Sequence, residues 1–132
     1  MAKRKKQPEP KASDFFKPEE LQRPYEMDVW FLYLLFEIRK ATGNVPLRII
    51  SDARPPDRDI GAAKSAHKKR PCRAVDLKVK NSYERAVILL AAARCGVVRM
   101  GVYPGGSGDG GGIHLDAETA SDNPSPRIWT KY

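Results

Sequence analysis

Two short stretches constrain the fold of this 132-residue chain more than any others: RAVDLKV at 73–79 and GIHLDA at 112–117. Both alternate apolar and polar residues with a period of two, the pattern of a strand with one face in a core. In the first, Val75, Leu77 and Val79 face one way while Ala74, Asp76 and Lys78 face the other. In the second, Ile113 and Leu115 take one face and His114 and Asp116 the opposite one. Two such strands in one sheet put Asp76, His114 and Asp116 on a common polar side. A sheet has no need of that arrangement for its stability, because a carboxylate in an apolar strand is costly. The other histidine of the chain, His67, lies in SAHKKRPCRAVDL, a run of positive charge nine residues before Asp76.

The remaining pattern supplies the elements around these strands. Asp14–Gln22 predicts a short helical lead-in with Asp14 as its cap. Apolar residues recur at helical spacing from Asp28 to Thr42, and Gly43-Asn44 is the stop. Pro46–Ser51 predicts a strand, and RPPDRDIG a loop. Asn81–Cys95 predicts a second helix, with Asn81 and Glu84 at capping-box spacing and Gly96 at its end. Further strands are expected over 97–104, 112–117 and 127–132. Two helices and four or five strands without strict alternation indicate an α+β domain, its small sheet largely antiparallel. The expected organisation is a basic disordered tail over 1–13 and a single domain over 14–132.

Composition narrows the function classes. The net charge is +8, and half of it sits in the first 13 residues, MAKRKKQPEPKAS, with five Lys or Arg against one Glu. Such a head is either a solvated solubility element or an adhesive for a polyanion, including an anionic wall polymer. No apolar run suited to export follows it, so synthesis as a soluble cytoplasmic product is expected. The longest apolar stretch, VWFLYLLF at 29–36, is too short to span a bilayer. The aromatic residues cluster on the first helix and do not interleave with the basic ones, which disfavours nucleic acid as a partner. Cys72 and Cys95 have no paired spacing and are expected as free thiols.

Two histidines and an aspartate suit zinc, and three protein ligands leave a fourth position for water, as in catalytic zinc sites. Such a site also needs a carboxylate to move protons and a cation at the oxyanion, roles for Asp116 and Arg54. The alternative is that both histidines are ordinary surface or hydrogen-bonded side chains, and the residue pattern leaves both readings open.

Particular motifs add a resemblance. S-x-H at Ser65–His67, A-V-D-L at 74–77, and Y-P, I-H-L-D and R-I-W between Tyr103 and Trp129 resemble the zinc D-Ala-D-Ala carboxypeptidases of peptidase family M15, above all its small bacterial and phage branch. FFKPEEL, PLRIISDAR and RMGVYP extend the likeness over most of the chain from Phe15. The resemblance implies the fold shared with Hedgehog signalling domains, one zinc ion, and hydrolysis of peptidoglycan peptides by an endopeptidase or a D,D- or L,D-carboxypeptidase. It places the metal on His67, Asp76 and His114, substrate binding on Arg54, and supporting hydrogen bonds on Ser65, with Tyr103 in the approach to the last ligand. Proton transfer falls to Asp116 or, in the glycine loop GGSGDGGG, to Asp109. A monomeric phage or prophage lysin is the implied setting, released through a holin-made hole or carried on the virion.

Two departures accompany the likeness. His67 and Asp76 are nine residues apart where the family has seven, and KKRPC replaces its glycine-containing turn. Cys72 thereby comes near the metal, either as a buried thiol or as a competing ligand. If the longer turn spoils the site, the alternative is a non-catalytic zinc- or wall-binding module on the same fold. The remaining rival is a small basic nucleic-acid-binding protein.

Overall fold

The computed structural model describes residues 9–53, 66–104, 110–118 and 126–130. Three 3₁₀ turns (Ala12–Asp14, Pro18–Glu20, Pro24–Glu26) lead into helix α1, Val29–Ala41. Strand β1 (Arg48–Ser51), a 3₁₀ turn at Ala66–Lys68 and strand β2 (Ala74–Val79) follow. Then come helix α2 (Ser82–Arg94) and strands β3 (Arg99–Pro104), β4 (Gly111–Asp116) and β5 (Arg127–Thr130). The expected α+β domain with a small, largely antiparallel sheet is what forms. The strand order is β1-β2-β4-β3-β5, antiparallel except for the parallel pair β3–β5.

Local chemistry sets the element ends. Asp28 caps α1 by accepting from the backbone N–H groups of Trp30 and Phe31 at 2.8 and 3.1 Å. Asn81 caps α2 by accepting from Glu84 N–H. The capping box is only half closed, because the Glu84 carboxylate turns to Lys80 N–H and Arg48. Gly43 and Gly96 end the helices at φ +67° and +92°, a region where a side chain is strained.

The helical lead-in expected at Asp14–Gln22 is instead a pair of 3₁₀ turns, and Asp14 is not a cap but the third residue of the first turn. Proline is the reason. Pro18 starts the second turn and forces Lys17 into extended backbone (ψ 150°), so no α-helix runs through it. Of the expected tail, residues 1–8 lie outside the described residues, while Ala12 packs against the core. The loop expected at 54–61 also lies outside them.

The apolar strand face closes on the helices. Val75, Leu77, Ile113 and Leu115 are buried with Leu32, Leu35 and Ile38 of α1 and Ile88 and Ala92 of α2. Among the described residues no helix is long and apolar enough to cross a membrane.

The opposite face of the sheet carries the polar residues, and register aligns them. One row across the strands reads Ser51, Asp76, His114, Gly101, Trp129 from β1 to β5. The next row on the same face reads Ala74, Asp116, Arg99, Arg127.

Candidate metal centre

Asp76 and His114 are cross-strand partners on β2 and β4, so their side chains meet on the polar face. His114 Nδ1 lies 3.0 Å from Asp76 Oδ1. His67 arrives from the 3₁₀ turn and puts its Nε2 3.2 Å from Asp76 Oδ1 and 3.2 Å from His114 Nδ1. These three residues could hold a metal ion together. Both histidines are buried and Asp76 is half-buried.

The partners behind each imidazole decide its tautomer. His67 Nδ1 is 2.6 Å from the backbone carbonyl of Asp52, which can only accept, so Nδ1 carries the hydrogen and Nε2 presents a lone pair. His114 Nε2 is 2.7 Å from Asp116 Oδ2, so that nitrogen donates and Nδ1 presents the lone pair. Two imidazole lone pairs and a carboxylate oxygen therefore converge within about a hydrogen-bond length. Such a group is repulsive unless a cation, either a metal ion or a proton, sits among them.

The titration behaviour reflects that crowding. Burial would raise the Asp76 carboxyl, but its contacts with His114 and His67 outweigh this and hold it far below the usual carboxylate range. Burial would lower His114, yet the Asp116 and Asp76 carboxylates raise it above an ordinary imidazole. Asp116 is lowered despite its burial, by His114 and by Arg99.

Asp116, expected as a proton shuttle, stands behind His114 on the side away from the converging lone pairs. Its Oδ2 accepts from His114, while its Oδ1 accepts from Arg99 Nε at 2.6 Å and from Glu118 N–H at 3.1 Å. Arg99, Asp116 and His114 thus form a buried chain of charge-assisted hydrogen bonds that fixes the imidazole plane. Arg54, Ser65 and Asp109 lie outside the described residues. Tyr103 is on β3 opposite Gly112, one pleat along from the His114 row.

The turn across the nine-residue interval between His67 and Asp76 is anchored. Cys72 donates its N–H to Glu26 O and accepts from Asp28 N–H, both at 2.8 Å, pinning the turn to the segment before α1. The Cys72 side chain is not part of the three-residue group. It is fully buried, its Sγ approaches the carbonyls of Ala74 and Ala66, and burial pushes its thiol up to about 11. Cys95 is likewise a free thiol.

No family model, no curated protein and no solved structure matches this chain. The geometry stands alone.

Two contributors were not legible as such. The Asp52 carbonyl holds His67, and its carboxylate accepts from the N–H groups of Gln22 and Arg23, tying the β1 end to the lead-in. Arg99 orients Asp116. Trp129, the tryptophan of the R-I-W motif, lies against the His114 ring with centroids 5.2 Å apart. For Arg99 the alternation of RMGVYP places it on the face of Gly101 and Tyr103, but nothing local says which strand lies alongside. A backbone carbonyl leaves no residue signature at all.

Proposed function

We propose that this protein is a zinc-dependent peptidase acting on the peptides of peptidoglycan, with His67, Asp76 and His114 as the zinc ligands. The observation that carries the reading is the convergence of His67 Nε2, His114 Nδ1 and Asp76 Oδ1 at 3.0–3.2 Å from one another. Ligands at tetrahedral angles around zinc, with bonds of about 2.0–2.1 Å, are separated by about 3.3 Å. The donor set of two imidazoles and one carboxylate suits zinc and leaves a position for water. Bound zinc supplies Lewis acidity that makes water nucleophilic near neutral pH.

The residues of the chain do the positioning. The Asp52 carbonyl fixes the tautomer and direction of His67, and Asp116, itself held by Arg99, does the same for His114. With both of its oxygens engaged, Asp116 serves as the orienting carboxylate, and proton transfer is assigned to Asp109 in the glycine loop. Arg54 is assigned to the substrate carbonyl or a terminal carboxylate. The likeness to family M15 motifs supplies the substrate class, the Hedgehog-like fold assignment and the setting of a phage or prophage lysin. There the basic head would adhere to an anionic wall polymer.

Digestion of purified peptidoglycan, followed by separation of the released muropeptides, tests the reading. Zinc-loaded wild-type protein is expected to release new amino or carboxyl termini, and Asp76→Ala none. A folded, zinc-loaded wild type that cleaves no muropeptide would leave a zinc- or wall-binding module in place of the peptidase.

A further inference from the structure

Helix α2 is apolar on its outward side as well as its inward one. Ile88, Ala91 and Ala92 are buried beneath it, as a helix packed on a sheet requires. At 3.6 residues per turn, Tyr83, Ala86, Leu90 and Ala93 fall on the opposite face, and all four are exposed. Tyr83 is 70% exposed and Leu90 59%. A surface helix ordinarily carries its charge along that line, yet no charged residue stands on it between Tyr83 and Ala93. Val87, half-buried, widens the strip.

The rim of this strip is cationic. Between residues 78 and 98 the chain has four cations, Lys78, Lys80, Arg85 and Arg94, against one acid, Glu84. Glu84 is already engaged, by Arg48 at 3.0 Å and by Lys80 N–H at 2.9 Å. Lys78, Lys80 and Arg94 are exposed. An apolar strip with a tyrosine at one end and cations around it suits the headgroup layer of an anionic bilayer. The exposed Tyr25 and Trp30 do not, because they lie in or next to the lead-in, where residues 9–28 carry six acids against three cations. A second copy of the chain would bring the same cations to the contact, so like charge opposes self-association through α2.

We propose that the outer face of α2 is a peripheral docking face for an anionic lipid bilayer. Tyr83 and Leu90 enter the boundary between headgroups and acyl chains, while Lys80 and Arg94 meet lipid phosphates at the two ends of the helix. The helix packs on the apolar face of the sheet, whereas Asp76 and His114 stand on the other. A bilayer against α2 therefore leaves the candidate metal centre turned away from the membrane. Under the peptidase reading the centre would face the wall, but the docking itself is independent of hydrolysis.

The test is co-sedimentation of the full-length protein with two kinds of vesicle, phosphatidylcholine alone and phosphatidylcholine mixed equally with phosphatidylglycerol. Wild-type protein is expected to bind the mixed vesicles, not the neutral ones, and to be released as salt rises. Tyr83→Ser and Leu90→Gln leave the basic head and every cation in place, and each is expected to weaken the binding by about tenfold. Both positions are exposed, so circular dichroism is expected to show an unchanged fold. Variants that bind as tightly as the wild type would assign the adhesion to the basic head and overturn the docking face. A wild type that ignores the mixed vesicles, or binds the neutral ones equally, would overturn it too. Sedimentation velocity without lipid covers the other occupant: a dimer that Leu90→Gln dissolves would give the face to a second copy. Vesicle binding without muropeptide release leaves the docking face standing and removes the peptidase reading alone.

Discussion

The two halves of the candidate metal centre are held in different ways. Asp76 and His114 belong to the middle of the sheet, directly opposite each other, on strands whose other faces are fully buried. His67 belongs to a turn, and its direction is set by the Asp52 carbonyl and by the anchoring of Cys72 to residues 26–28. In the sheet half, the hydrophobic core and the ligands obey one register, so a slip of one residue would destroy both. In the turn half, the ligand depends on tertiary hydrogen bonds with no repeating pattern behind them. The sheet half is the rigid one, and the turn half is where length can change without disturbing the register.

If that contrast holds, damage to the sheet half should cost folding and metal together. Asp116→Ala removes the carboxylate between His114 and the buried Arg99, and with it the charge-assisted hydrogen bond to Arg99 Nε. It is expected to destabilise the protein by about 3–5 kcal/mol and to weaken metal binding by about 10- to 100-fold. Denaturant unfolding and chelator competition measure the two effects. Leu77→Ala, on the buried side of β2, is expected to cost about 2–5 kcal/mol while the metal stoichiometry survives in the folded fraction.

The turn half predicts a smaller loss of both stability and metal affinity, because only individual tertiary hydrogen bonds are weakened. Asp52→Asn keeps the backbone carbonyl but weakens the clamp on the N–H groups of Gln22 and Arg23. The expected cost is about 1–3 kcal/mol, with metal affinity falling less than in Asp116→Ala. A variant as damaging to the metal as Asp116→Ala would erase the distinction between the halves.

Titration sharpens the comparison. The lowered Asp76 and Asp116 contribute stability above the ordinary carboxylate range, and it is lost as the pH falls through their native values. The raised His114 contributes stability fully present below an ordinary imidazole pKa and lost as the pH rises through its native value. The metal-free protein is therefore expected to be most stable between about pH 4 and 6.5. Added zinc is expected to abolish the loss on the alkaline side, because the metal replaces the proton among the three ligands. Melting temperature against pH, with and without zinc, checks this. Cys72→Ser should produce the smallest effect on the centre, leaving the metal stoichiometry unchanged.

What could be read from the residues follows the same division. Strict alternation in RAVDLKV and GIHLDA was enough to put Asp76, His114 and Asp116 on one face, because a period of two is a geometric property of any strand. The order of the strands, and hence the row joining His114 to Gly101 and Trp129, depends on which edges pair across long stretches of chain. Local pattern carries no information on that. Which imidazole nitrogen Asp116 meets is a matter of side-chain direction within a strand that alternation leaves open. The lead-in failed as a helix for a local reason, the proline at position 18.

Elemental analysis tests the central claim most directly. Wild-type protein and His114→Ala, both folded by circular dichroism, would be dialysed against trace-metal-free buffer, supplied with zinc and dialysed again. About one zinc per wild-type chain, and none retained by the variant, is the predicted result. A wild type that holds no zinc after resupply, or a variant that holds as much, would contradict the convergence of His67, Asp76 and His114 on a single metal.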